Sequence, residues 1–270
     1  MKSEVFNGPR FWTYFKYDLV QMWRNHIRAS IGIGLSGLIF YVITVGFRLI
    51  FNGYWGGPGL ATRLGIFVLA ATALELYQTR TYGYLTDRRK GSAWLMNPAS
   101  TFEKWLSMIL MTLVVIPLLF LGVYALTDLV IAAFDPTVGE SMVHAVGNGF
   151  RELTQGLVGV NETYQTSWSV WAFVPAFLAG FCCNFLFFLL CGLVFKKHKI
   201  LGGFVIIFVL SFVFSLVMSA LSLESLAEAE DLAQAEMQVR SIFNTTGWVA
   251  ALIAAGLAGG IFYRLKSLTH

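Results

Sequence analysis

Gly34-Leu35-Ser36-Gly37 has the GxSG form that can present a serine nucleophile inside a membrane. A serine attacks only when a general base lies within hydrogen-bond reach. The four histidines, His26, His144, His198 and His270, all fall outside the later apolar runs, so Ser36 has no base and no catalytic residue is expected. Gly32 and Ser36 suit the close approach of another helix better, as do Gly256 and Gly260. Cys182, Cys183 and Cys191 share one apolar run, which gives neither a disulfide framework nor the paired CxxC of a zinc site. They are expected to be reduced, and no metal or cofactor is expected. No GxxxxGK[ST] loop occurs, so any ATP that drives this protein must bind another polypeptide. Two residues remain. Glu75 is the one acid inside an apolar run, and Asn184 is the one strong hydrogen-bonding side chain at depth; such groups are costly in hydrocarbon and kept for a pathway or for bonds between helices. Both are candidates for a translocation path, with interhelical bonding as the other role open to Asn184.

The elements that carry these residues are apolar. Of 270 residues, 57% are hydrophobic and 13% charged, against about 25% charged in a soluble domain. With a mean hydropathy of +0.68, the chain reads as all-α, a polytopic helical membrane protein embedded in a lipid bilayer. That excludes a soluble enzyme or a nucleic-acid binder, despite an isoelectric point of about 9.0. Runs free of charge predict spans at about 29–49, 102–127, 167–195, 200–223 and 241–263. A sixth, 62–80, is shorter and holds Glu75, but without it Arg48 and Arg63 would share a side with Arg88, Arg89 and Lys90. Six spans make one transmembrane domain, 1–270. They place only Arg48, Arg63, Arg151 and Arg240 on one side and the other fifteen of the 19 basic residues opposite. The positive-inside rule then puts both termini in the cytoplasm. The outer face is acidic, with Asp128, Asp135, Glu140, Glu152, Glu162 and a group from Glu224 to Glu236. No cleavable signal peptide is expected, because a basic, aromatic stretch precedes a full-length first span.

Phe11 to Arg28 is predicted to be an amphipathic helix. Phe11, Trp12, Phe15, Leu19, Met22 and Trp23 fall within one arc, and Tyr14, Tyr17, Asp18, Gln21, Arg24 and Arg28 take the opposite one. Such a helix lies in the plane of the bilayer with Trp12 and Trp23 at headgroup depth; the alternative is a soluble cap on the inner loops. On the outer side the loop 135–166 repeats Met142, Val146, Phe150, Leu153 and Leu157 at helical spacing, which predicts a lid of short helices together with 223–240. Asn161 and Asn244 open glycosylation sequons that matter only in a eukaryotic secretory pathway.

Between spans two and three, Ser100-Thr101-Phe102-Glu103 has the form of a capping box, and Pro98 just before it favours a helix start near Ser100. The segment before that start pairs the bases Arg88, Arg89 and Lys90 with the apolar trio Trp94, Leu95 and Met96. An apolar patch on the wet side packs against something, either the membrane interface or a partner.

The entry helix, the six spans with both ends inside, and this basic and apolar segment together resemble an ABC transporter permease of the type 2 exporter class. The run Asn97 to Trp105, NPASTFEKW, is similar to one in ABC type 2-like membrane proteins of Bacteroidetes bacteria. The resemblance implies a bacterial inner-membrane protein that works as a homodimer or with a similar permease. It implies that Phe11 to Arg28 is an elbow helix, and that Arg88, Arg89, Trp94, Leu95 and Met96 form the coupling contact with a separate ABC ATPase subunit. Any ATPase activity would then reside in that subunit, so the chain itself is no enzyme. Re-entrant helices between spans five and six are common in that family, and Leu223 to Arg240 is too acidic to re-enter easily. The competing expectation is a non-transporting scaffold or sensor that binds a partner through its acidic outer helices; an ion-coupled carrier comes third.

Overall fold

Asn7 opens the first helix, α1 (Gly8–Asn25), by accepting a hydrogen bond from the Arg10 backbone, and Pro9 sits in the first turn, where its missing N–H costs nothing. The computed structural model describes residues 6–86, 94, 96–164, 174–195, 200–206, 208, 209, 212, 215, 216 and 232–268; the side chains of 156–164, 232–240 and 242 fall outside that description. Among the described residues the regular elements are all helical. After α1 come α2 (Ile27–Gly34), α3 (Ser36–Asn52), α4 (Leu60–Thr81) and a 3-10 turn at Gly83–Thr86. Then follow α5 (Thr101–Leu110), a π-helical stretch at Met111–Val115, α6 (Ile116–Phe134), α7 (Met142–Tyr164), α8 (Val174–Val194) and α9 (Leu232–Leu268).

Among the described residues, four helical stretches are long and apolar enough to cross a membrane: Leu60–Thr86, Thr101–Phe134, Val174–Val194 and Phe243–Leu268. A fifth comes from α2 and α3 if that pair, bent by 45°, counts as one span. The set is compatible with a multi-pass membrane protein. The expected first span is therefore not one straight helix. Gly32, Gly34 and Ser36 surround the bend, and such small residues are a usual cause of a sharp kink. Half of the expected fifth span, 200–223, lies outside the described residues; 200–206 are helical.

The third span runs on to Phe134, longer than expected, and carries its own irregularity. Pro117 has no N–H to donate, so the turn before it widens to π geometry, with the Ile116 N–H reaching back to the Met111 carbonyl. Gly53, at φ 69°, ends α3 in the left-handed conformation that glycine adopts without steric penalty.

Leu74, Met108, Met111, Leu189, Leu193, Ile261 and Leu265 are fully buried in one cluster that joins α4, the third span, α8 and α9. Apolar side chains also cover the outside: Ile43, Phe47 and Ile50 on α3, Leu126, Val130 and Phe134 on α6, Trp248 and Leu252 on α9. That is the surface expected of helices whose solvent is hydrocarbon.

Candidate functional site

Among the described residues, a cluster of buried polar groups lies where α1, the end of α4 and the start of α5 meet. Ser100 caps α5 as its sequence predicts. Its hydroxyl accepts from the Glu103 N–H at 3.2 Å, and the Glu103 carboxylate accepts from the Ser100 N–H at 2.9 Å. Glu103 does more than close a capping box. Arg10 donates through Nε at 2.8 Å and Nη2 at 2.9 Å, and the Asn7 N–H donates at 2.8 Å, so one fully buried carboxylate ties the front of α1 to the front of α5.

About two turns further along α1 from Arg10, Asp18 forms the second tie. It is 4% exposed, and its Oδ2 accepts from the Tyr82 hydroxyl at 2.8 Å and the Ser107 hydroxyl at 2.7 Å. Among the described residues no cation pairs with it. Burial raises the Asp18 pKa above the usual carboxylate range, and the two hydroxyls oppose that rise only in part. Asp18 also lines a small cleft with Gln21, Asn25, His26, Thr81 and Tyr84. His26, whose pKa burial lowers, shares a hydrogen bond of 2.9 Å with the Tyr77 hydroxyl.

These contacts fix which face of α1 packs inward. The face it packs inward is centred on Tyr14, Asp18 and Met22, while Trp12 and Trp23 are 59% and 58% exposed. The physical reason is that Tyr82 and Ser107 offer Asp18 two donors, which makes burying a polar stripe affordable and leaves the indoles outside.

The expected coupling residues separate. Trp94 was expected on an exposed patch but is 6% exposed; its carbonyl accepts from the Lys104 ammonium at 3.0 Å, and that ammonium lies 4.6 Å from the centre of its ring. Trp94 is therefore an internal brace, because a buried lysine needs both an acceptor and a π face. Met96 is 83% exposed. Arg88, Arg89 and Leu95 lie outside the described residues. Glu75 on α4 and Asn184 on α8 are half-buried, and no hydrogen bond among the described residues joins them to each other. The structure adds deeper polar residues that the periodicity had not singled out. Gln78, one turn before Tyr82, is fully buried, and neither of its polar atoms nor the buried hydroxyls of Ser30 and Thr112 have a partner among the described residues.

At the opposite end a second polar knot joins α4 to α6 and α7. Arg63 donates to Asp128 at 2.6 Å and to the carbonyls of Val138 and Glu140 at 3.1 and 2.6 Å, while the other Asp128 oxygen accepts from the Met142 N–H. Asp135 accepts from Tyr41 at 2.8 Å, Trp55 at 3.1 Å and Thr137. Burial alone would raise the Asp135 pKa, but these donors outweigh it and hold it below the ordinary value. Charge counting had put Arg63, Asp128 and Asp135 on one side without pairing them.

Ser36, the sequence's one nucleophile candidate, has no hydrogen-bond partner and no histidine beside it among the described residues. Its neighbours pack. A Cβ at Gly34 or Gly37 would press on Val123 or Tyr124 of α6, whereas Gly32 and Gly256 have open space around them. The three cysteines are free thiols, and Cys183 donates across the α8–α9 contact to the Ala250 carbonyl. No family model, curated protein or solved structure to which the chain was compared matches it.

Proposed function

We propose that this chain is the membrane-spanning permease subunit of an ATP-driven exporter of the ABC type 2 class. It crosses a bacterial inner membrane six times, keeps both termini in the cytoplasm, and works as a homodimer or beside a similar permease. The observation that carries this reading is the joint at the base of the helices. The segment between α4 and α5 is fastened to α1 at both of its ends, by Asp18 on Tyr82 and by Arg10 and Asn7 on Glu103. A push on the residues between those ends would reach α1, α4 and α5 together, which is what rigid-body transmission from an ATPase requires.

In this reading Arg88, Arg89, Leu95 and Met96 meet the ATPase, while Trp94 and Lys104 brace the segment from within. Glu75 and Asn184 are the candidate path residues, joined by Gln78 and Thr112, since polar groups at depth face a bundle interior or a pathway. Isolation of the full chain from its native membrane in mild detergent is expected to bring down a nucleotide-binding polypeptide in near-stoichiometric yield. Met96→Glu combined with Arg88→Glu and Arg89→Glu is expected to lose that subunit while the membrane part keeps its thermal stability. A wild-type preparation free of any nucleotide-binding subunit would rule the exporter out.

A further inference from the structure

We propose that the cleft beside Asp18, between α1 and the end of α4, binds one monovalent cation of the size of sodium or potassium, with the free oxygen of the Asp18 carboxylate as its anchor. The proposal stands apart from the permease reading.

Three observations carry it. The first is the charge. Asp18 is 4% exposed, and the two hydroxyls that reach it, those of Tyr82 and Ser107, both donate to Oδ2. Donors of this kind favour the ionised form of a carboxylate. Oδ1 takes no hydrogen bond from any described residue. Buried charges are paired or hold a metal ion, so this oxygen calls for a counter-charge.

The second is that no group of the chain supplies that charge. Among the described residues no lysine or arginine lines the cleft. The ion pairs Arg10–Glu103 and Arg63–Asp128 lie elsewhere, and the buried Lys104 ammonium is held by the Trp94 carbonyl and ring. His26 is the one base at the cleft; burial biases it towards the neutral form, and its Nδ1 is shared with the Tyr77 hydroxyl. Tyr14, Tyr82 and Tyr84, which surround Asp18, carry no positive charge in any protonation state.

The third is the lining. Gln21 and Asn25 follow Asp18 on one face of α1, three and seven residues on, and Thr81 and Tyr84 line the same cleft from the end of α4 and the turn after it. Each brings an amide or hydroxyl oxygen. No hydrogen bond joins the Gln21 or Asn25 side chain to another described residue. The cavity measures about 10 Å³, room for one particle the size of water. Thr81 and Tyr82 in it are buried and Asn25 is exposed, so it opens past Asn25.

These donors select the ion. An all-oxygen set suits a hard cation. One carboxylate neutralises one charge, whereas a divalent ion would leave a positive charge buried, and no group of three His, Cys, Asp or Glu side chains able to hold a metal occurs among the described residues. Water fits the space but brings no charge. The proton is the competitor for Oδ1: the folded pKa of Asp18 is raised, so stability falls as pH rises through it. A cation that binds only the folded, ionised form offsets that fall.

The test follows thermal unfolding of the purified full-length chain in detergent, with choline chloride exchanged for sodium or potassium chloride at constant ionic strength. At pH 8 the melting temperature is expected to rise and saturate with one of the two alkali ions, and at pH 4, where the proton holds Oδ1, to stay level. Radioactive sodium or rubidium is expected to bind at one ion per chain. Asp18→Asn is expected to abolish both effects. Gln21→Leu leaves Tyr82 and Ser107 on Asp18, and is expected to raise the half-saturating concentration severalfold with an unchanged melting temperature in choline chloride. Identical melting in choline and in both alkali salts at pH 8 would overturn the proposal and leave Asp18 to the proton. An equal rise in Asp18→Asn would place the ion elsewhere and overturn it as well, and a larger rise with calcium chloride at the same ionic strength would overturn the assignment to a single charge.

Discussion

Asp128 and Glu103 are buried carboxylates held by arginines at opposite ends of the molecule, and they differ in what their removal leaves behind. Asp128→Ala strands the 5%-exposed Arg63 without its counter-charge, and breaking such a pair from one side costs about 3–5 kcal/mol. Unfolding of the purified variant, followed by thermal shift, is expected to show a loss of that order; pairing it with Arg63→Met is expected to restore part of the loss, since no charge is then stranded. Glu103→Ala removes the N3 half of the capping box while Ser100 stays as the cap, so it should cost less than the about 0.5–2 kcal/mol of a lost N-cap, and it releases Arg10, whose side chain reaches solvent at 38% exposure and can rehydrate. Its effect on stability is expected to be the smaller of the two.

Asp18 gives the residue scale its pH signature. Because its folded pKa is raised, the unfolded chain ionises first, and stability falls as pH rises from the ordinary carboxylate value through the folded one. Asp135 has the opposite sign: its folded pKa is lowered, so its contribution is present above the ordinary value and is lost on acidification. Asp18→Asn keeps an acceptor for Tyr82 and Ser107 and removes the titration. It is expected to flatten the alkaline side of the melting-temperature profile between pH 4 and 8 and to raise stability at neutral pH; an unchanged profile would contradict the burial of an uncompensated carboxylate there.

Helix contacts are set by where side chains are absent as much as by where they are present. A Cβ on Gly192 would overlap the Thr79 carbonyl, so α8 and α4 approach to backbone contact only because residue 192 is glycine. Gly192→Ala is expected to cost about 1–3 kcal/mol, the usual scale of overpacking, and more if neither backbone can shift. Gly256→Ala meets nothing within 4 Å and is expected to be neutral or slightly stabilising, as alanine is the better helix former. Fluorescence-detected size exclusion after a heat step separates the two. Sequence periodicity found α1 because apolar residues recur at helical spacing, and charge-free runs found the spans that the described helices show. Periodicity did not show which face of α1 packs inward, because a period counts Asp18 as polar and has no access to Tyr82 and Ser107, 64 and 89 residues away. The capping box of α5 was legible because all its parts lie within four residues. The second role of Glu103 was not, since Arg10 is 93 residues distant.

At the scale of the whole molecule, charge counting placed Arg63, Asp128 and Asp135 together at one end, and there the structure pairs Arg63 with Asp128 and gives Asp135 its own donors, Tyr41, Trp55 and Thr137. The bend between α2 and α3 was hidden because hydropathy averages over a window and does not register a break at Gly34 and Ser36. Topology is the first consequence to check: reporter fusions after residue 8 and after His270 are expected to report the same, cytoplasmic side, and opposite sides would mean an odd number of spans. The central claim is that the segment between α4 and α5 meets a separate ATPase, and Met96 of that segment is 83% exposed. The most direct measurement is photocrosslinking from a benzoylphenylalanine placed at position 96 in native membranes, followed by mass spectrometry of the adduct. A nucleotide-binding polypeptide as the main product, with a yield that changes when ATP is added, is the predicted result; adducts only with lipid or with a second copy of this chain would contradict it.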